Sequence, residues 1–206
     1  MKQNLPPLGF PSSLGSAYKP QQAVTDTGKP KIKPIRQRTQ FSCVATSATM
    51  CLESFGYKLT EEQVDRFFIK AKPFVGASWD QIMACMQYFG LRTTLVVPST
   101  VLQIKSWIEQ GCPVIISWNP ENKEWSHSSV VFDVVEDMGG KLKVFVADPN
   151  IVNPSQTVRV LDEDDFYAKW YSKGGNGVVM RRPAMRIERE IDAGGKQTMG
   201  RYIPTR

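Results

Sequence analysis

The chain of 206 residues has a single histidine, His127, and only four cysteines, Cys43, Cys51, Cys85 and Cys112. No two of these cysteines form a C-x-x-C pair, so they do not suggest a metal site, and no metal or cofactor is implied. Cys51, Cys85 and Cys112 fall in apolar or helical contexts and read as small core residues. No apolar run approaches the roughly 20 residues that a membrane helix needs. Met1 to Ser13 lacks the apolar segment of a signal peptide. A cytoplasmic, reduced protein without disulfides is therefore expected. Internal repeats are also missing.

The charge is unevenly placed. The net charge is +6, yet residues 1–36 hold six Lys/Arg against Asp26 alone, and residues 181–206 hold seven against three acids. These ends carry +5 and +4, which leaves −3 on residues 37–180. A basic tail is usually a solvated tail, and an acidic body disfavours nucleic-acid binding. With 41% hydrophobic residues and 10% aromatics, a folded body is expected, and the length suits one domain with a real core.

Residues 1–34 are rich in Pro, Gly, Ser, Gln and Lys and lack periodicity, which reads as an extended arm. From Val44 the apolar residues Val44, Ala48, Cys51, Leu52 and Phe55 recur at helical spacing, with Ser42 placed to cap and Gly56 to terminate. Thr60 with Gln63 forms a capping-box pattern opening a helix with Val64, Phe67, Phe68 and Ala71 on one face, ended by Pro73. Another capped helix follows Ser78, burying Ile82, Cys85, Met86 and Phe89 up to Gly90. Leu91 to Val97 is strand-like, and a short helix carries Leu102 and Trp107 up to Gly111. The pattern then changes to strands over 113–118, 127–135, 141–147 and 156–161, a helix over 162–171, and a last strand over 177–180. Helices first and an antiparallel meander second is the order of an α+β domain in two halves. Residues 181–206 read as an extended basic tail.

Cys43 stands where an extended segment turns into a helix. A thiol there meets unpaired backbone N–H groups and the positive end of the helix dipole, and both favour the reactive thiolate. His127 heads a strand between Ser126 and Ser128 and is the one side chain suited to act as a base near neutral pH. Asp148 ends the strand expected to pair with that of His127, where a carboxylate could hold the imidazole by its other nitrogen. Gln37, six residues before Cys43, could donate its amide to an oxyanion beside the Cys43 N–H. Each residue also has a plain structural role open to it: core packing for Cys43, a strand residue for His127, a turn for Asp148-Pro149, a linker for Gln37. Their joint order along an α-then-β chain is the stronger signal.

These features resemble the bacteriocin-processing peptidases that cut after a double glycine, members of the papain-like cysteine peptidases. The similarity runs from about Gln37 to Met180 and includes Gly76 to Asp80, Phe89 to Leu91, Gly111 to Trp118 and Val144 to Pro149. It implies a papain-like fold over 35–180 that cleaves a peptide or protein substrate. By that resemblance Cys43 is the nucleophile, His127 the general base, Asp148 its orienter and Gln37 the oxyanion donor. Val44 stands where the family often has Gly, and Ser126 and Ser128 flank the histidine in place of Gly and an aromatic. The alternative is a structural or assembly protein, in a virus particle or other large complex, whose residues 1–34 and 181–206 bind neighbouring subunits. The Gly194-Gly195 pair invites the idea of self-cleavage, but glycine pairs also occur at 139–140 and 174–175, where turns explain them. Equal full-length masses are expected for the wild type and Cys43→Ala; loss of residues 196–206 from the wild type alone would reverse this reading.

Overall fold

The computed structural model describes residues 25–68, 77–121, 125–151, 158–173 and 178–190. Helix α1 (Cys43–Ser54) is buried on nearly every side, as expected of a helix in the centre of a domain. Its hydroxyls are satisfied internally: Thr46 Oγ1 donates to the Ser42 carbonyl at 2.9 Å and Thr49 Oγ1 to that of Ala45 at 2.8 Å. At the C-terminus Gly56 adopts φ +90°. Its N–H bonds the Glu53 carbonyl and that of Tyr57 reaches Leu52, a Schellman stop. The expected capping by Ser42 is not seen. Its Oγ instead ties the preceding loop, donating to the Thr39 carbonyl and accepting the Thr39 N–H.

Helices α2 (Glu61–Asp65) and α3 (Trp79–Tyr88) both begin with complete capping boxes, Thr60 with Gln63 and Ser78 with Gln81. Helix α2 ends earlier than expected, at Asp65, with Phe67 and Phe68 beyond it, while Ala71 and Pro73 lie outside the described residues. Helix α4 (Val101–Glu109) turns Val101, Ile104, Trp107 and Ile108 inward, while Leu102 is exposed. The apolar stripe is thus set by 101, 104 and 108, one residue away from the expected Leu102.

Strands β1 (Leu91–Val96), β2 (Val114–Trp118), β3 (His127–Glu136), β4 (Leu142–Ala147) and β5 (Val158–Asp162) are followed by α5 (Glu163–Lys169). The short β6 (Tyr171–Lys173) and β7 (Val179–Arg181) pair with each other, and β8 (Ala184–Arg189) closes the order. Six strands form one antiparallel sheet in the order β1-β8-β2-β3-β4-β5. Alternation divides its side chains between two cores. Ile115, Val130, Ala147 and Ile187 pack with α1, α2 and α3, whereas Val114, Ile116, Val131 and Val146 pack with α4 and α5. Among the described residues no helix is long and apolar enough to cross a membrane.

The expectation for the C-terminal segment is corrected. Residues 184–189, read as part of an extended tail, form the strand that joins β1 to β2, with Ala184, Met185 and Ile187 fully buried. Their alternation with Arg186 and Glu188 is that of a strand, and the two partners supply the ladder hydrogen bonds a tail would lack. Residues 191–206, including Gly194-Gly195, and residues 1–24 lie outside the described residues. Ile187→Ala is expected to destabilise the fold by about 2–5 kcal/mol, the usual loss for a buried Ile. Urea unfolding measures it, and an unchanged midpoint would return this segment to a tail.

Candidate functional site

Cys43 is the first residue of α1 and is partly exposed. Ser42 leaves the helix end uncapped and the first turn holds no acidic residue, so no side chain of the helix competes for its N-terminal N–H groups. The Val44 N–H, from that first turn, and the Ser128 N–H, from β3, both donate toward the sulfur.

The antiparallel pairing of β3 and β4 sets Val130 opposite Ala147, so the start of β3 and the end of β4 lie at one end of the sheet. His127 heads the one and Asp148 follows the other. The imidazole Nε2 lies 2.6 Å from Asp148 Oδ1, and the ring also hydrogen-bonds the Cys43 sulfur. With Nε2 engaged by the carboxylate, Nδ1 is the nitrogen left for the thiol. Asp148 is almost wholly buried, at 1% exposure, and its oxygens are shared out. Oδ1 also accepts the Asn150 N–H at 2.9 Å, and Oδ2 accepts Arg159 Nε at 2.5 Å.

Three of the four residues singled out from the sequence therefore meet: Cys43, His127 and Asp148. Gln37 is placed by its backbone, whose N–H donates to the Pro149 carbonyl at 2.9 Å. This fastens the segment before α1 to the loop after Asp148. The Gln37 side-chain oxygen is buried and has no hydrogen-bond partner. Arg159 is the residue the sequence reading missed. It lies in a Val158-Arg159-Val160 strand like many others, and only the pairing of β5 with β4 brings it to Asp148. Beside Cys43 and His127 an open cleft of about 140 Å³ runs between Phe41 and the β2–β3 loop, with Glu121 and the exposed Trp125 on its wall.

Opposing effects set the protonation states. Burial pushes the Cys43 thiol up, but the hydrogen bond and charge of His127, with the Ser128 and Val44 N–H groups, outweigh it and leave the thiol below its ordinary value. Burial alone would lower His127; the Asp148 and Cys43 hydrogen bonds reverse that and raise it to about 9. Burial likewise raises Asp148, and His127, the Asn150 N–H and Arg159 bring it net below the usual carboxylate value. The signs agree: a thiolate beside an imidazolium persists from the lowered thiol value up to about pH 9. Cys51, Cys85 and Cys112 are pushed up by burial, Cys85 to about 12, so at neutral pH they stay protonated. No group of His, Cys, Asp and Glu among the described residues could hold a metal ion.

A helix-borne thiol and a histidine from the facing sheet are the marks of the cysteine peptidase class, and this fold belongs to it. The Peptidase_C39 like family matches residues 29–178, well over half of the chain, and the chain belongs to that family. Among solved structures, a double glycine motif protease from an AMS/PCAT transporter, in complex with the leader peptide, is similar at 18% identity and TM-score 0.54. The match covers 80% of this chain and 97% of that one. The peptidase domain of Streptococcus ComA, a bi-functional ABC transporter involved in a quorum sensing pathway, is similar at 14% identity and TM-score 0.58. Here 78% of this chain and 100% of that one are covered. At these identities the likeness is one of fold. No curated protein matches the chain in sequence.

Alkylation of Cys43 by iodoacetamide, followed by peptide mass against pH, is expected to extend to lower pH than for an ordinary thiol, while the three buried cysteines react slowly. In His127→Ala the hydrogen bond and charge of His127 are lost while burial and the Ser128 and Val44 N–H groups remain, so the profile should move up toward or above the ordinary range. Identical profiles in the two proteins would contradict the ion pair.

Proposed function

We propose that the chain hydrolyses peptide bonds with Cys43 as nucleophile, His127 as general base and acid, Asp148 as the residue that orients His127, and Gln37 as oxyanion donor. The observation that carries the reading is the His127 ring held between the Cys43 sulfur and the buried Asp148 carboxylate. An unshared imidazole at a strand end would have no cause to be raised to about 9. The substrate is a peptide, entering by the cleft between Phe41 and the β2–β3 loop.

In the first half of the reaction the Cys43 thiolate attacks the carbonyl carbon, and the C=O electron pair moves to oxygen. The Cys43 backbone N–H and the Gln37 amide N–H donate to that oxyanion. Collapse breaks the C–N bond, and the amine leaves with the proton of His127 Nδ1. A thioester on Cys43 and a neutral imidazole remain. In the second half water attacks the thioester, Nδ1 takes a proton from it, and the acid leaves as the thiolate is expelled. Asp148 keeps Nε2–H pointed at itself throughout, fixing the tautomer, and transfers no proton. Water could be replaced by an amine, giving transpeptidation by the same steps.

The alternative, an assembly protein on a peptidase-like scaffold, has no finding in its favour. The family is one of peptidases, and so are both structural relatives described.

A peptide library read by mass spectrometry tests the proposal. Cleavage by the wild type should vanish in Cys43→Ala and His127→Ala, with Gln37→Ala slower by roughly 10²–10³-fold in kcat. Asp148→Asn should be slowed but less than either of the first two, because Asp148 orients and does not react. The pH profile should be bell-shaped. Rate is lost on the acid side as Cys43 takes up a proton and on the basic side near pH 9 as His127 loses the one it must give. Cleavage that survives Cys43→Ala would overturn the reading.

A further inference from the structure

The buried carboxylate of Asp148 has two partners of different kinds. On Oδ1 stands His127, whose charge comes and goes during the reaction. On Oδ2 stands Arg159, and a guanidinium is the side-chain cation that takes no part in proton transfer. Arg159 is itself held on three sides. Its Nε bonds Asp148 at 2.5 Å, its guanidinium lies over the Trp118 ring at 5.9 Å, and Glu121 stands 3.8 Å from its outer edge. Trp118 is fully buried and is pinned by its Nε1–H bond to Ser129 Oγ at 2.9 Å. The charged and titratable groups that face this carboxylate are therefore His127 from β3, Arg159 from β5 and, through them, Cys43 from α1 and Glu121 from the β2–β3 loop.

Before a substrate binds, the line Cys43, His127, Asp148, Arg159 alternates minus, plus, minus, plus. Once the amine has left, Cys43 is a neutral thioester and His127 a neutral imidazole. Asp148 then faces a ring that no longer carries charge, at 1% exposure, where an unpaired carboxylate is strongly disfavoured. Were it to take up a proton, it would donate that proton to Nε2. The imidazole would then carry its hydrogen on Nδ1, the nitrogen that must accept the proton of the attacking water.

We propose that Arg159 is a positioning residue for deacylation: as the permanent counter-charge of Asp148 it keeps the carboxylate an acceptor, so that Nδ1 stays free to act as base in the acyl-enzyme. This rests on the thiol-hydrolase reading above and assigns Arg159 a role at one stage of it. Acylation starts from the ion pair, in which His127 itself neutralises Asp148, and depends on Arg159 less. The second step depends on it more. In atoms and charges the step is unaltered. Water gives one proton to Nδ1 and its oxygen to the acyl carbon, the C–S bond breaks, and Arg159 neither gains nor loses a proton.

The test is burst kinetics with p-nitrophenyl acetate, an activated ester that asks for no side-chain recognition, on the full chain, with acetyl-Cys43 followed by intact mass. In Arg159→Gln the steady-state rate should fall about tenfold, the effect of one unit in the protonation balance. The burst rate should change less than threefold, and acetyl-Cys43 should accumulate. Arg159→Lys, which restores the charge, should recover most of the loss. In an Asp148→Asn background, where no charge needs a partner, Arg159→Gln should have no further effect. Equal losses in burst and steady state, or the same factor in the Asp148→Asn background, would reduce Arg159 to a packing residue and overturn the inference alone. A wild type that forms no acetyl-Cys43 would overturn the thiol-hydrolase reading and this inference with it.

Discussion

The structure around the site depends on one buried negative charge. Asp148 sits at 1% exposure, and a carboxylate there is tolerated only because both of its oxygens have donors. His127, the Asn150 N–H and Arg159 provide them. Each comes from a different piece of chain: the head of β3, the loop after β4, and β5. The three-stranded part of the sheet, β3-β4-β5, is the frame that brings them to one end. Losing both charged partners would leave a buried charge uncompensated, a penalty of several kcal/mol.

That charge also decides the state of the thiol. A helix N-terminus contributes about 0.3–1 kcal/mol, and up to ~2 when partly buried, to an adjacent anion. For Cys43 this is modest support against the burial that opposes thiolate formation, the largest single influence on it. The tilt comes from His127, which Asp148 and the Cys43 sulfur together hold raised to about 9. The helix places the sulfur and lends the Val44 N–H, while the sheet supplies the Ser128 N–H and the charge. Neither half of the fold carries the chemistry alone, which is why the sequence order of helices and then strands matters to function.

Much of this was legible along the chain. The capping box at Thr60 depends on residues three apart and is formed as expected, and the helix expected to be capped after Ser78 is capped by a box of its own with Gln81. His127 drew attention because nothing else in the chain competes as a base, and Asp148 because Asp-Pro ends a strand abruptly. Arg159 was hidden because its role exists only through the register that sets it opposite Val146, next to the last residues of β4. The strand at 184–189 was hidden for a related reason. Arg186 and Glu188 interrupt its apolar residues and basic charge surrounds it, so it resembles a solvated tail until β1 and β2 are known to flank it. Ser42 shows the limit of local rules: a sound capping residue is used instead to brace the loop before Cys43.

A chain with one histidine offers a direct view of the central claim. The nitrogen NMR resonances of the His127 ring, followed against pH in the wild type and in Cys43→Ala, report its charge and its tautomer without interference from any other imidazole. In the wild type an imidazolium at neutral pH, titrating near 9, is expected, with the value falling in Cys43→Ala as the thiolate is lost. A neutral ring at neutral pH, titrating near the ordinary 6.5 in both proteins, would contradict the ion pair on which the proposed chemistry rests.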